Sequence, residues 1–192
     1  MTIMYNIRMD DKLISSTGET FTFKKGITDK QIDQLIHYAQ TDQTVQNFTS
    51  DAKRFASHQS FEAWKKADTI FYTLTDKEDN LAGIIWFEEL ALPEYEPSSD
   101  TTNYKLQPTN YHTTFAIRTY ANARGKGLSS VFTQKALTDF LKAKSYPLKA
   151  NSGVWLATSP DNYPAINSYK KSGFVELGMR KDGQKLIMIY QV

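Results

Sequence analysis

The spacing of apolar and polar positions predicts a helix in the first quarter of the chain. Over residues 28–40 the apolar side chains recur at helical spacing, and Thr28 is followed three residues later by Gln31, which is a capping-box pattern. The predicted apolar stripe comprises Ile32, Leu35, Ile36 and Ala39. A shorter helix is predicted over 60–67.

Two runs of apolar, aromatic and β-branched residues flank a polar turn at 76–80, so residues 69–90 are predicted to form a hairpin. Residues 91–110 follow with three prolines and two tyrosines among many polar residues. A loop of this length inside a compact domain is expected to be either an inserted binding flap or a partly disordered segment.

The C-terminal half alternates between strands and helices. Its pattern predicts, in order, a strand (111–118), a glycine-containing loop, a helix (128–144), a strand (153–159), a short helix (162–173) and two strands joined by an Asp-Gly turn. Strands separated by helices on a mixed sheet indicate the α+β class, or mixed α/β. The length of 192 residues suits a single domain over 1–192.

Composition narrows the possible functions. The chain has no cysteine, which excludes disulfides, thiolate nucleophiles and cysteine-ligated zinc, and no metal is expected. The longest apolar run, residues 81–87, is far too short to cross a membrane, and the first residues lack the apolar core of a secretion signal. The basic residues form no dense run of the nucleic-acid-binding type. We therefore expect a cytoplasmic protein with neither a membrane nor a nucleic acid as partner.

The net charge of +2 conceals an asymmetry between the two halves of the chain. Residues 1–96 contain 10 Lys and Arg against 16 Asp and Glu, whereas residues 97–192 contain 13 against 5. This is either drift in solvated surface charge, or a sign that an anionic ligand binds the C-terminal half and a cationic ligand faces the N-terminal half.

The segment Ala-Arg-Gly-Lys-Gly-Leu-Ser-Ser (123–130) lies between a predicted strand and a predicted helix. The first amides of a helix have no internal partner, and the helix dipole favours an anion there. Glycine in this loop lets a phosphate approach the backbone. The segment lacks the Gly-Lys-Ser/Thr ending of the P-loop, and Ser130 stands where the dinucleotide fingerprint has its third glycine. By itself it fits a helix-capping turn and a phosphate site equally well.

A second motif favours the phosphate site. Asn162, Ala165 and Tyr169 are spaced to lie on one face of the short helix. Together with the glycine loop before it and the two strands after it, this helix resembles the GNAT superfamily of acetyl-CoA-dependent N-acetyltransferases, and the resemblance spans 111–192. The family's loop begins with Gln or Arg, where this chain has Asn122.

The resemblance implies a central twisted mixed sheet flanked by helices, with acetyl-CoA as cosubstrate. It implies that the backbone amides of 124–129 hold the pyrophosphate and that the strand edge at 116–118 pairs with the pantetheine arm. Asn162 is expected either to contact this arm or to cap its helix, and lysine and arginine side chains are expected to supply counter-charge. The cofactor-binding residues implied in this way are Ala116, Ile117, Arg118, Arg124, Gly125, Lys126, Gly127, Leu128, Ser129, Asn162, Tyr169 and Lys171.

The activity that the resemblance implies is transfer of an acetyl group from acetyl-CoA to a primary amine of a small molecule or peptide. Tyr169 matches the family tyrosine that protonates the leaving thiolate. Some members carry a Glu at the start of the loop-bearing strand, which here starts without a carboxylate. The general base is therefore Glu88, Glu89, His112 or a water. Adjacent strand residues face opposite ways, so only one of the two Glu side chains can enter the cleft, and we favour Glu88.

The alternative is a non-catalytic acyl-CoA-binding or regulatory module on the same fold. Such a module would keep the glycine loop and lose the chemistry. The presence of Tyr169 favours the enzyme, whereas the missing strand carboxylate leaves the module open. Neither the acceptor amine nor a subunit interface is specified, so a monomer and a homodimer are both compatible with the sequence.

Overall fold

The computed structural model describes residues 11–98, 112–143 and 153–191. The helices in these ranges are α1 (Asp29–Thr41), α2 (Gln43–Phe48), α3 (Asp51–Arg54), α4 (His58–Trp64), α5 (Leu128–Ala143) and α6 (Tyr163–Lys171). The strands are β1 (Lys12–Ile14), β2 (Thr20–Lys25), β3 (Ile70–Thr75), β4 (Leu81–Glu89), β5 (Tyr95–Pro97), β6 (Thr113–Thr119), β7 (Gly153–Thr158), β8 (Val175–Arg180) and β9 (Leu186–Gln191). No helix within the described ranges is long and apolar enough to cross a membrane.

The nine described strands form one mixed sheet in the order β1-β2-β3-β4-β6-β7-β9-β8-β5. Neighbouring strands run antiparallel, except β6 and β7, which run parallel. Helices pack on both faces of this sheet. The predicted α+β class, with a central mixed sheet flanked by helices, is therefore confirmed.

The parallel strands β6 and β7 separate along their length. Among the described residues two pairs join the strands, Thr113 with Val154 and Thr114 with Trp155. Both strands continue beyond these pairs, so their facing edges diverge. The sheet therefore has a wedge-shaped opening at its centre, bordered by the second half of each strand.

Alternation along β4 divides the core between two helical layers. Ile85 and Phe87 pack in the cluster that contains α5 and α6, whereas Ile84 and Trp86 pack in the cluster that contains α1, α2 and α4. A wedge through the sheet at β6 therefore connects the space under one layer to the space under the other.

Local sequence signals account for the ends of the helices beside this opening. The predicted capping box of α1 is present, because Thr28 accepts from the Gln31 amide and the Gln31 side chain accepts from the Thr28 amide. Asn162 caps α6 by accepting from the Ala165 amide, which confirms the capping role considered for it.

Several elements differ from the sequence-based expectations. The helix predicted over 60–67 is α4, which begins and ends earlier, and the β1–β2 hairpin and helices α2 and α3 were not predicted. Part of the predicted flap at 91–110 is strand β5, which pairs with β8 at the edge of the sheet. The rest of that prediction, over 99–110, lies outside the described residues.

Candidate active site in the wedge between β6 and β7

A cavity of about 850 Å³ occupies the wedge between β6 and β7. On one side it is lined by the glycine loop, the start of α5 and the inward face of α6. On the other side it is lined by α2, α3 and the end of β4. The cavity therefore passes through the sheet. The predicted cofactor residues line one end, and the wall formed by α2, α3 and the end of β4, here called the far wall, lines the other.

The glycine loop presents open backbone amides to this cavity. The backbone is left-handed at Gly125 (φ 74°) and Gly127 (φ 71°), a conformation that favours glycine. No described residue accepts from the amides of Gly125, Gly127, Leu128 or Ser129, and all four residues line the cavity. The amides of the other two predicted residues are used inside the loop, by Tyr120 and Ala123 respectively. The set of open donors is thus narrower than the predicted 124–129.

The loop cations are neutralised within the chain. Arg124 forms a bidentate pair with Asp42, at 3.0 and 2.7 Å. Lys126 lies 2.7 Å from Glu19 and does not line the cavity. Arg124 lines the cavity, but its charge is already balanced by Asp42, and Lys126 does not reach the cavity. Neither side chain therefore brings unpaired counter-charge to the cavity, as the sequence suggested it would.

Other cations face the cavity on the cofactor side. Lys171 lines it, as predicted, and no described residue forms an ion pair with its ammonium group. Arg180 and Lys185, at the β8–β9 hairpin, also line it and were not predicted. The only sequence signal for this pair is the run of basic residues around the hairpin turn, which by itself is equally typical of a solvated turn.

The predicted pantetheine edge lies along the wedge. Ala116, Ile117 and Arg118 all line the cavity, and β7 pairs with none of them. Their other edge is occupied by β4. No described strand covers this edge, although the Ile117 carbonyl accepts from Arg118 Nη1 at 2.8 Å. An extended ligand could therefore pair with the backbone groups of the edge that remain open.

Tyr169 lies on the inward face of α6, against the same opening. Its ring packs edge-on against Phe115 and Phe174, with centroid distances of 6.3 and 5.9 Å. Burial raises the pKa of Tyr169, an effect that the positive charge of Arg118 opposes in part. No described residue hydrogen-bonds its hydroxyl group. The phenol is therefore protonated at neutral pH and has a proton to donate.

The structure separates the candidate bases. Glu88 lines the cavity with its side chain 14% exposed, and the Lys66 ammonium lies 3.6 Å away. Glu89 is exposed and does not line the cavity, as strand alternation requires when Glu88 does. His112 is also exposed outside the cavity, one residue before β6 begins. The structure thus brings Glu88 and Tyr169 to one cavity and does not bring His112 there.

A buried ion pair on the far wall was not predicted. Arg118 donates from Nε and Nη2 to the carboxylate of Asp51, the latter at 2.9 Å, and Asp51 is fully buried. The Arg118 guanidinium also lies 4.8 Å from the centre of the Trp86 ring. Burial alone would lower the pKa of Arg118, but Asp51 outweighs burial and raises it. The pair ties α3 to β6, and no local pattern in the sequence marks two residues so far apart.

Replacing Asp51 with Asn should destabilise the protein by about 3–5 kcal/mol, because it leaves the Arg118 charge buried without a counter-ion. The free energy of unfolding from urea denaturation measures this effect. Asp79→Asn is the matched control, since Asp79 pairs with Lys30 at an exposed site and should lose under about 1 kcal/mol. Equal losses in the two variants would contradict the structural role of the buried pair.

The pair between Asp42 and Arg124 should make stability depend on pH. Burial alone would raise the pKa of Asp42, but the Arg124 hydrogen bond and the Val45 and Thr44 amides lower it below the ordinary value of 3.8. Because the pKa of Asp42 is lower in the folded than in the unfolded state, its charge stabilises the fold at any pH above the unfolded-state pKa. This stabilisation is lost as the pH falls through the folded-state pKa.

Asp42→Asn keeps the oxygen that caps α2, removes the charge and replaces the second acceptor of Arg124 with an NH2 group. Its melting temperature should therefore lie below that of the natural protein at neutral pH, and the gap should close as the pH falls below the ordinary Asp value. A gap that stays constant down to acid pH would show that the charge of Asp42 contributes nothing.

The fold resembles those of several solved acetyltransferase domains. The GNAT domain of S. lividans PAT superimposes with a TM-score of 0.66 at 12% identity, covering 94% of this chain and 96% of that one. Spermidine N-acetyltransferase from Vibrio cholerae, in complex with CoA and spermine, has a TM-score of 0.63 at 15% identity, with 89% and 95% covered. The aminoglycoside acetyltransferase AAC(6')-Ib, in complex with coenzyme A and kanamycin, has a TM-score of 0.57 at 17% identity, with 89% and 94% covered.

No protein-family model matches the sequence, and no curated protein matches it either. At these sequence identities the likeness is one of backbone fold, and a shared fold does not by itself imply a shared function. The resemblance that the C-terminal motifs suggested is confirmed at this level: the chain has the fold of the GNAT superfamily.

Proposed function

We propose that this protein is an acetyl-CoA-dependent N-acetyltransferase that acts on a primary amine of a small molecule or peptide. The observation that carries the proposal is that one cavity through the sheet is lined by the open loop amides, by Tyr169 and by Glu88. The fold supports it, since similar solved domains include acetyltransferases in complex with coenzyme A.

The residues at the loop fit the phosphates of such a cosubstrate. The open amides of Gly125, Gly127, Leu128 and Ser129 stand at the start of α5, where the helix dipole favours an anion. Lys171 faces the same space with a positive charge that no described carboxylate neutralises. We propose that these groups hold the pyrophosphate and that the open edge of β6 pairs with the pantetheine arm.

The chemistry then needs three proton transfers. The amine must be neutral to attack, so a protonated amine first gives one proton to Glu88, directly or through a water, and Glu88 passes it to solvent. The nitrogen attacks the thioester carbonyl carbon and a C–N bond forms. The nitrogen then loses a second proton by the same route, and the C–S bond breaks to leave the amide and a thiolate. The thiolate takes its proton from the Tyr169 hydroxyl, and the tyrosine is reprotonated from solvent. The products are the N-acetylated amine and free coenzyme A.

The single-domain organisation, the cytoplasmic location, the absence of a metal and the monomeric or homodimeric state remain predictions from the sequence. The non-catalytic acyl-CoA-binding module remains the alternative, and turnover separates it from the enzyme. Thiol release from acetyl-CoA should appear when a reactive amine is supplied. Binding of acetyl-CoA without thiol release, for every amine class tried, would favour the module.

Tyr169→Phe should lower kcat by about 10²-fold or more, because it removes the proton donor and keeps the ring packing. Thiol release measures kcat, and calorimetry should show an acetyl-CoA affinity close to that of the natural protein. Tyr163→Phe is the matched control, since Tyr163 is on the same helix but is 68% exposed and does not line the cavity. Unchanged turnover in Tyr169→Phe would remove the general-acid role.

A further inference from the structure

One guanidinium on the far wall of the cavity has hydrogen-bond donors that the described protein does not use. Arg54, the last residue of α3, donates from Nη1 to Asp51 at 3.1 Å. No described residue accepts from its Nε or Nη2 groups. The side chain is 30% exposed and lines the cavity. Its open N–H groups are therefore accessible from the cavity.

Arg54 shares its nearest carboxylate with a second guanidinium group. Asp51 accepts from Arg54 and also from two N–H groups of Arg118. Burial lowers the pKa of Arg54, an effect that Asp51 and Glu88 oppose and that the positive charge of Arg118 reinforces. Arg54 therefore has no carboxylate to itself, and an anionic ligand would supply one.

Three aromatic rings surround the guanidinium group of Arg54. The Arg54 guanidinium carbon lies 5.6 Å from the centre of Trp64, 5.9 Å from Trp86 and 5.8 Å from Phe55. These rings surround the charged end of the side chain and restrict its position. Nε and Nη2, which have no described acceptor, lie on one edge of the guanidinium, and two donors on one edge suit a two-point contact with an oxyanion.

We propose that Arg54 binds an anionic group of the acceptor, so the acceptor is an amine that also carries a carboxylate, as an amino acid does. This inference rests on the proposed function and names its substrate class. Glu88 and Arg54 line the same wall and would receive the amine and the carboxylate respectively. The acidic N-terminal half suggested a cationic ligand on this side of the chain, whereas the Arg54 guanidinium on this wall favours an anionic group and disfavours a polyamine.

The test compares amines that differ only in the anionic group. Each aromatic, aliphatic or acidic amino acid is assayed beside its α-methyl ester and beside the corresponding amine without the α-carboxylate. Spermidine and an aminophosphonate are assayed as well. Thiol release from acetyl-CoA gives kcat/KM. We expect the free acid to exceed its ester by about tenfold or more in the series that fits the cavity, since a hydrogen-bonded charge is at stake. The amine of an ester is the weaker base and is more often neutral, so intrinsic reactivity runs against this result.

Arg54→Gln should raise the KM of the free acid by about tenfold or more and leave the KM of the ester nearly unchanged. Arg54→Lys should restore part of the preference, because it keeps the charge without the planar fork. Lys53→Gln is the matched control, since Lys53 is on the same helix, exposed and outside the cavity. Melting temperature and acetyl-CoA affinity report whether each variant remains folded.

A binding arm makes the inference independent of turnover. Calorimetry with coenzyme A present compares each N-acetylated amino acid with its methyl ester. Tighter binding of the free acid than of the ester, lost in Arg54→Gln, supports the inference. This holds even if no amine is acetylated, and in that case only the proposed function fails. A kcat/KM for esters, polyamines or simple amines that equals or exceeds that of the free acids overturns the inference, while the proposed acetyltransferase activity is retained. So does an Arg54→Gln effect of equal size on acids and esters.

Discussion

The early separation of β6 and β7 is the constraint on which the rest of the site depends. Two pairs of described residues join these parallel strands, and beyond these pairs each strand has an edge that the other does not cover. Backbone groups on such an edge need hydrogen-bond partners, and in a closed sheet they would find them in the neighbouring strand. Here they face a cavity instead. The same separation lets one space reach both helical layers, which is the arrangement that the proposed acetyl transfer requires.

The Asp51–Arg118 pair determines the shape of the far wall. Burying a carboxylate costs free energy unless an opposite charge pairs with it and donates hydrogen bonds to it. Arg118, from the strand that borders the wedge, does both for Asp51. The short helix α3 is thereby held against the sheet, and Arg54 at its end is held over Trp86. The pair thus links the strand that borders the wedge to the far wall of the cavity.

The cations near the cavity fall into two groups that the sequence does not distinguish. Arg124 and Lys126 lie in the glycine loop, yet both are neutralised by carboxylates far away in the chain. Lys171 and Arg54 are unremarkable in the sequence, yet each faces the cavity with charge that the described residues leave open or only partly balance. Net charge over half a chain therefore says little about what a site binds, because pairing is decided by contacts across the fold.

The sequence by itself determined those features that are written in neighbouring residues. Helix α1 with its capping box, the β3–β4 hairpin, the glycine loop and the face of α6 that carries Asn162 and Tyr169 all rest on spacings of a few residues, which local backbone geometry enforces. The short elements β1, β2, α2 and α3 were missed, because segments this short are stabilised by packing more than by their own pattern. Only the tertiary structure decided that Glu88 and not His112 reaches the cavity, that Asp51 meets Arg118, and that Arg54 keeps open donors. Each of these depends on residues distant in the chain being brought together, and burial and charge pairing act only once they are.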